Sequence, residues 1–404
     1  MPHGLGITNV ILGNMKMEKL GKYCKIISGY AFKSNDLSEG TEIPVIKIGN
    51  ISNGDDIITD SSTQYVSSDF LSIDEKYHIK KGDVLISLTG SHINQPNSMV
   101  GRSCRNFSDT EFLLNQRAGK VIPNENADKN YLYYLLNTES FKYSICNRAY
   151  GAANQANVSP SDIENIKWNF PPLPTQKKIA SILSAYDDLI QNYKKQIQAL
   201  QTAASELYKE WFVRFRFPGY QTTKFENGIP EGWKVEKLGT LANISTGKCN
   251  REDAEEDGIY PLFDRSQEIK KSNEWIKDCE AIIVPGEGTS FIPRYYKGKF
   301  NLHQRCYCVE PKYSNFGKFL FYVLMLNRKY FLSVATGATV PSLRYNNFAS
   351  MKFILPEISL CNNFNKLADS VFEKIDNLQQ QITNLTQQRD LLLPRLMSDK
   401  LEVE

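Results

Sequence analysis

Three stretches of the chain crowd hydrogen-bonding and cationic side chains among turn-forming residues. The first, SLTGSHINQPNSMVGRSCRNF, carries Ser91, His92, Asn94, Gln95, Asn97, Arg102 and Arg105. The second, STGKCNREDAEEDGIYPLFDRSQ, and the third, GEGTSFIPRYYKGK, carry Lys248, Asn250, Arg251, Arg265, Ser266, Thr289, Arg294, Tyr295 and Tyr296. Such residues suit recognition of flat heterocycles: Arg and Lys match the two acceptors on a guanine edge, and Asn and Gln match the donor and acceptor of adenine. The same cations also suit phosphate oxygens, which position a duplex without reading it.

Bond-making chemistry finds less support. Methyl transfer to an adenine amino group calls for an Asn/Asp-Pro-Pro-aromatic loop. The nearest match, Phe170-Pro171-Pro172-Leu173, lacks both the polar first residue and the aromatic last one, and reads as a strand exit before a helix start. GEGTSF is too short for a phosphate loop, and no GxxxxGK[ST] occurs. His3, His78, His92 and His303 have no metal-ligand spacing. Glu268-Ile269-Lys270, with Asp253 upstream, has the residue types of a metal-dependent nuclease, a triple that chance supplies often. The expectation is a binding chain without catalytic residues, metal or cofactor of its own.

The elements that position these loops come as a repeat. KMEKLGKYCKIISGYAF from Lys16 matches KVEKLGTLANISTGK from Lys234, and FLLNQRAGKVIPNE matches FNLHQRCYCVEPK, which pairs Gln116-Arg117 with Gln304-Arg305. YLYYLLN matches FLFYVLML, and YGAANQANVSPSDIENIKWNFPPLP matches TGATVPSLRYNNFASMKFILPE. Lys16 to Gln116 is 100 positions whereas Lys234 to Gln304 is 70, yet Gln116 to Asp188 and Gln304 to Asp376 are both 72. The halves share a frame after the Gln-Arg step and differ before it, where a recognition segment would vary. Because the step occurs in both halves, Gln116, Arg117, Gln304 and Arg305 are expected to be structural. EIPVIKIGNIS, GDVLISLTG, AGKVIP and EAIIVPG read as strands, KNYLYYLLN and GKFLFYVLML as short helices, and ENIKWNF and ASMKFIL as return strands. Each half is a mixed α/β module.

Each module runs into a long helix with a coiled-coil pattern. The first carries Ile179, Ile182, Tyr186, Leu189, Tyr193, Ile197, Leu200 and Leu207 in steps of mostly three and four, and the second Phe364, Leu367, Val371, Ile375, Leu378, Ile382, Leu385 and Leu392. The segment 175–212 spans ~57 Å if wholly helical. Both stripes outrun what one small module covers, so the helices are expected to pack on each other. Antiparallel pairing would set the modules at opposite ends of a rod, and parallel pairing would crowd them together.

Composition is compatible with this and selects little. With 404 residues, 41% hydrophobic and 23% charged, the chain can bury more than one core. A net charge of +3 leaves any basic partner-binding patch to local arrangement. The eight cysteines form no CxxC pair, and neither a leader nor an apolar run of ~18 residues is visible, so the expected compartment is the cytoplasm.

Four motifs together resemble a family. PPLPTQKKIASILSAYDDLIQ, LYKEWFVRFRFPG, GIPEGWKVEKLG and QRDLLLPRLMS stand in the order found in specificity subunits of type I restriction-modification systems, and the resemblance covers nearly the whole length. It departs at the first module, which lacks a PEGW entry and begins at MEKLG. The resemblance implies an α+β fold: two mixed α/β target-recognition domains in tandem, separated by a pair of long antiparallel coiled-coil helices. It divides the chain into an extension (1–15), a first recognition domain (16–172), a first spacer helix (173–212), a linker (213–233), a second recognition domain (234–357), a second spacer helix (358–398) and a tail (399–404). Each domain would read one half of a bipartite target in double-stranded DNA. The helices would set the spacer and dock two modification methyltransferase subunits for adenine N6 methylation, with restriction/translocase subunits joining them. S-adenosylmethionine, ATP and Mg would then belong to those partners, and the setting would be a bacterial or archaeal cytoplasm, away from membranes. Two alternatives stay open: a methylation-only DNA reader without restriction partners, and a scaffold that binds something other than DNA.

Overall fold

The computed structural model describes residues 17–40, 42–92, 100–152, 155–313 and 316–398. The chain forms two compact units, one of residues 1–193 and 381–404 and the other of residues 194–380. Each unit therefore holds one module and part of each long helix. Among the described residues, no helix is long and apolar enough to cross a membrane.

In the first unit a four-stranded sheet has the order Cys24–Ser28, Ala118–Pro123, Val84–Ser87, Ser103–Arg105. Its strands are short and β-branched, and Ile26, Val84, Ile86 and Val121 turn toward a core shared with the helix Lys129–Asn137. A second sheet places Ile43–Ile46 parallel to Phe112–Leu114, with Gln64–Val66 and His78–Ile79 at its edges. The strand Lys167–Asn169 pairs back onto Met17–Lys19 before the first long helix.

The second unit repeats this order. Ala242–Thr246, Cys306–Pro311, Lys277–Pro285 and Arg294–Leu302 lie side by side as the corresponding strands do in the first unit. The register repeats as well: Ala118 faces Ser87 where Cys306 faces Pro285, and Leu114 lies parallel to Ile46 where Leu302 lies parallel to Phe263. One nine-residue strand, Arg294–Leu302, does the work that two short strands, Ser103–Arg105 and Phe112–Leu114, share in the first unit. The helix Gly317–Leu326 takes the place of Lys129–Asn137, and Lys352–Leu355 returns to pair with Lys234–Lys237.

The Gln-Arg step closes the frame in both units. A Cβ at Gly29 would lie 2.3 Å from the Leu114 carbonyl oxygen, and one at Gly247 would lie 1.8 Å from that of Leu302. Only glycine lets these backbones approach so closely. The step is thus pinned by a glycine from an early strand, by Leu88 N–H donating to the Arg117 carbonyl at 2.9 Å in one unit, and by Gly286 N–H donating to that of Arg305 at 2.8 Å in the other.

The first long helix is Leu173–Phe212 and the second Ile358–Met397. Pro174 sits in the first turn, where no N–H partner is lost. Within the first unit, Ile179 and Leu183 share a core with Leu396, and Asp187 contacts Arg389, so the two helix segments run antiparallel. Within the second unit, Phe364 meets Tyr208 and Phe212 at ring-centroid distances of 5.6 and 5.3 Å.

The expected stripe needs one correction. Ile182, Leu189 and Leu367 are exposed, whereas Leu183, Asp187, Ile190, Asn365 and Ala368 are buried. Near each module the helices turn a face about one position round, because the module competes with the partner helix for the apolar side. That face includes amides with specific work. Gln176 accepts from Asp128 N–H at 3.0 Å and Asn365 from Phe319 N–H at 3.1 Å, each at the N-terminus of the helix that follows its module's Gln-Arg step. Of the other stripe residues, Ile179, Phe364, Ile375 and Leu378 are buried, and Tyr186, Tyr193, Ile197, Leu200, Leu207, Val371, Ile382, Leu385 and Leu392 are half-buried.

Candidate nucleic-acid interface

In the second unit four turns converge beside the Gln-Arg step. Gln304 donates from Nε2 to Asn250 Oδ1 at 2.6 Å, and Arg265 donates to Glu287 Oε2 at 2.7 Å. Arg305 pairs with the other oxygen of Glu287, so one carboxylate holds two exposed guanidinium groups. Burial would raise the Glu287 carboxyl, but the two arginines outweigh it and hold it below the usual carboxylate range. His303 lies beneath: burial and Arg265 lower its pKa, and its Nδ1 accepts from Arg305 N–H at 3.0 Å. Lys248, Asn250, Arg265, Gln304 and Arg305 share an exposed polar edge at this end of the sheet, and Thr289 is exposed on the adjoining turn.

Asp264 and Ser266 shape that edge. Ser266 donates to Asp264 from its hydroxyl at 2.6 Å and from its backbone at 2.8 Å, and Lys270 pairs with the same carboxylate at 2.7 Å. Burial alone would raise Asp264, yet these bonds bring it down to about 2. Lys270 is therefore engaged away from Glu268 and Asp253, and the latter accepts from Asn250 N–H at 2.7 Å. The nuclease-like triple does not converge, and the described residues contain no group of acids, cysteines and histidines that could hold a metal.

In the first unit the corresponding edge is built from Ser91, Gln116 and the strand Gln155–Asn157. Thr89 donates to Asn157 Oδ1 at 2.9 Å, and Gln116 N–H donates to the Tyr30 carbonyl at 2.9 Å. Gln116, Arg117 and Gln155 are exposed. Ser91 is buried, and its carbonyl accepts from Val100 N–H at 2.9 Å. His92 and Arg102 are half-buried beside this pair. Asn94, Gln95 and Asn97 lie outside the described residues, and Arg251 is described by its backbone alone, in a turn of 3-10 helix.

Four sequence candidates belong elsewhere. Arg105 is 5% exposed, donates to Asn130 Oδ1 at 2.8 Å and pairs with Asp187 at 3.3 Å, so it joins the first module to the first long helix. Tyr295 holds the equivalent sheet position, since Arg105 faces Val84 as Tyr295 faces Ile282. Its ring packs on Phe372 of the second long helix at 5.1 Å, and its hydroxyl donates to Glu280 at 2.7 Å. Arg294 lies over the Phe263 ring at 5.0 Å and donates to the backbone carbonyls of Asp264 and Ser266 at 2.5 and 2.9 Å; burial lowers its pKa. Tyr296 packs between Phe263 and Phe300 at 5.3 and 5.7 Å. All four are held by the fold: Arg105 and Tyr295 face a long helix, and Arg294 and Tyr296 face the opposite side of the sheet against Phe263.

The Gln-Arg steps are expected to be structural. Their backbones are pinned by the frame, and all four residues are exposed beside the candidate loops, with Gln304 bonded to Asn250 and Arg305 to Glu287. The signal was their presence in both halves at one offset, which fits contact with something both modules meet as well as it fits a structural role.

The chain matches the family model described as the type I restriction modification DNA specificity domain over residues 13–202 and 230–389. It is 25% identical to the type I restriction enzyme MjaIX specificity subunit of Methanocaldococcus jannaschii, over 94% of this chain and 91% of that protein. It is 30% identical to the type I restriction enzyme EcoDI specificity subunit of Escherichia coli, over 39% of this chain and 35% of that one. In three dimensions it matches the S subunit of a type I restriction-modification system from M. genitalium with a TM-score of 0.56 at 18% identity, covering 99% of both chains.

Proposed function

Because the chain belongs to the family of type I restriction-modification DNA specificity domains, we propose that it is the sequence-reading subunit of such a system, with no catalytic residues of its own. Each module reads one half of a split target in double-stranded DNA. The helix pair sets the spacer and docks two modification methyltransferase subunits that methylate adenine N6, and restriction/translocase subunits join through them. S-adenosylmethionine, ATP and Mg are used by those partners.

The observation that carries this reading is a single frame with two different edges. Strand order, register and the glycine-pinned Gln-Arg step are common to both modules, whereas the residues around the step differ: Ser91 and Arg102 in one, Lys248, Asn250, Arg265 and Ser266 in the other. Two readers built alike but reading different bases need that combination. His92, Asn94, Gln95, Asn97, Arg251 and Thr289 complete the set of candidate contacts. Gln116, Arg117, Gln304 and Arg305 serve both modules alike and suit the DNA backbone, which is the same at every site.

Long-read sequencing of DNA from cells expressing this chain with a cognate methyltransferase, against the methyltransferase alone, tests the proposal. N6-methyladenine in a split motif that depends on this chain is the expected result. Unchanged methylation from an assembled complex would overturn the reading role.

A further inference from the structure

One carboxylate in the first unit holds three elements together. Asp187, on the first long helix, is 3% exposed. Its Oδ1 accepts from Arg389 of the second long helix at 2.7 Å, and its Oδ2 from Tyr134 at 2.6 Å and from Arg105 at 3.3 Å. Arg105 is fixed in turn by Asn130 and by the Phe107 ring, 4.3 Å from its guanidinium carbon. The module therefore presents a buried cation to Asp187, and Arg389 completes the site from the opposite helix.

The equivalent positions of the second unit carry other residues. The offset that carries Gln116 onto Gln304 carries Asp187 onto Ile375, Ser184 onto Phe372 and Asn130 onto Lys318, and register places Tyr295 where Arg105 stands. That joint sets Tyr295, Phe321 and Phe372 in edge contact, with Lys318 over the Tyr295 and Phe372 rings and paired with Asp369 of the second long helix. Apolar faces of a helix pair accept sliding with modest loss, because one aliphatic contact replaces another. A buried ion pair does not: a shift of one turn, ~5.4 Å, would leave Asp187 and Arg389 each without the other. A buried polar pair in a mainly apolar seam is a device by which helix pairs select register.

We propose that Asp187 and Arg389 are the positioning residues that fix the register of the two long helices, and through it the single spacer length of the target. The link to the spacer rests on the proposed function; the link to register does not. Asp187 keeps Arg105 as partner when Arg389 is replaced, so Arg389→Met is the informative variant, with Arg389→Lys as the conservative one.

Two readouts separate the claims. Spin labels on noncanonical amino acids at Lys178 and Leu391, both exposed in the first unit, report register by double electron–electron resonance: one narrow distance for the natural chain and Arg389→Lys, a broadened or split one for Arg389→Met. Long-read methylation should then show unchanged half-sites and, for Arg389→Met alone, a second spacer length at up to roughly a tenth of methylated sites, the population of an accessible minor state. A folded Arg389→Met with one narrow distance and one spacer overturns the proposal. If Arg389→Met does not fold, Arg389→Gln is measured in its place with the same criteria, and failure of both variants to fold makes the arginine a stability element and likewise overturns it. A natural chain that gives no split motif while Arg389→Met broadens the distance would sink the proposed function and leave the register claim standing.

Discussion

A polar side chain's role here depends on what the fold sets against it. Arg105 and Arg265 are both arginines beside turns, yet one is spent on a buried aspartate and the other stands at an exposed edge. Arg117 and Arg305 occupy the same place in the two modules and are exposed. Replacing either with alanine is expected to weaken binding of all duplexes alike and to flatten the slope of log affinity against log salt by about 0.9, with the methylated motif unchanged. Fluorescence anisotropy over a salt series checks this; a changed motif would make them base readers. Lys142 offers a test that is independent of DNA. The residue is 8% exposed and its Nζ donates to Asn53, and burial, aided by Arg102, lowers its pKa to about 8. Below pH 8 the group is charged in both folded and unfolded chains, so the full cost of burying charge is present. From about pH 8 to the ordinary lysine value near 10.5 the folded form loses its proton first, and stability rises. Lys142→Met should stabilise the chain at pH 7 by ~1–3 kcal/mol and abolish that rise, as urea denaturation at pH 7 and pH 10 would show.

At the scale of elements, the long helices are apolar seams interrupted by a few polar residues with defined partners. Lengthening the first helix by four residues after Leu200, about one turn, adds ~6 Å. On the proposed reading, the spacer should grow by about two base-pair steps of 3.4 Å while both half-sites persist, by long-read methylation. An altered half-site with the old spacer would disconnect helix from spacer. The insertion tests length and Arg389→Met tests register, so the two together separate how far the helices reach from how they are aligned.

At the scale of the whole molecule, two modules built on one frame should be exchangeable. Replacing Lys234 to Pro341 with the corresponding segment of a relative is expected to change one half-site and leave the other, because each module has its own core. If both half-sites changed in the methylated motif, the modules would not read independently.

The repeat, several of the strands, the short helix after each Gln-Arg step and the long helices were legible in the sequence, because each follows from local patterning: β-branched runs between turn residues, prolines ahead of helix starts, apolar steps of three and four. The equal spacing after the Gln-Arg step already announced one frame used twice. Which side chains face solvent was decided only by tertiary structure. Arg105 meets Asp187 across 82 positions, and Arg389 meets the same carboxylate across 202. Tyr295 packs on Phe372 of a helix that the chain makes much later. Apolar periodicity can mark the face that leaves water, but a charged residue enters that face only where a distant residue neutralises it, and no local pattern encodes that partner.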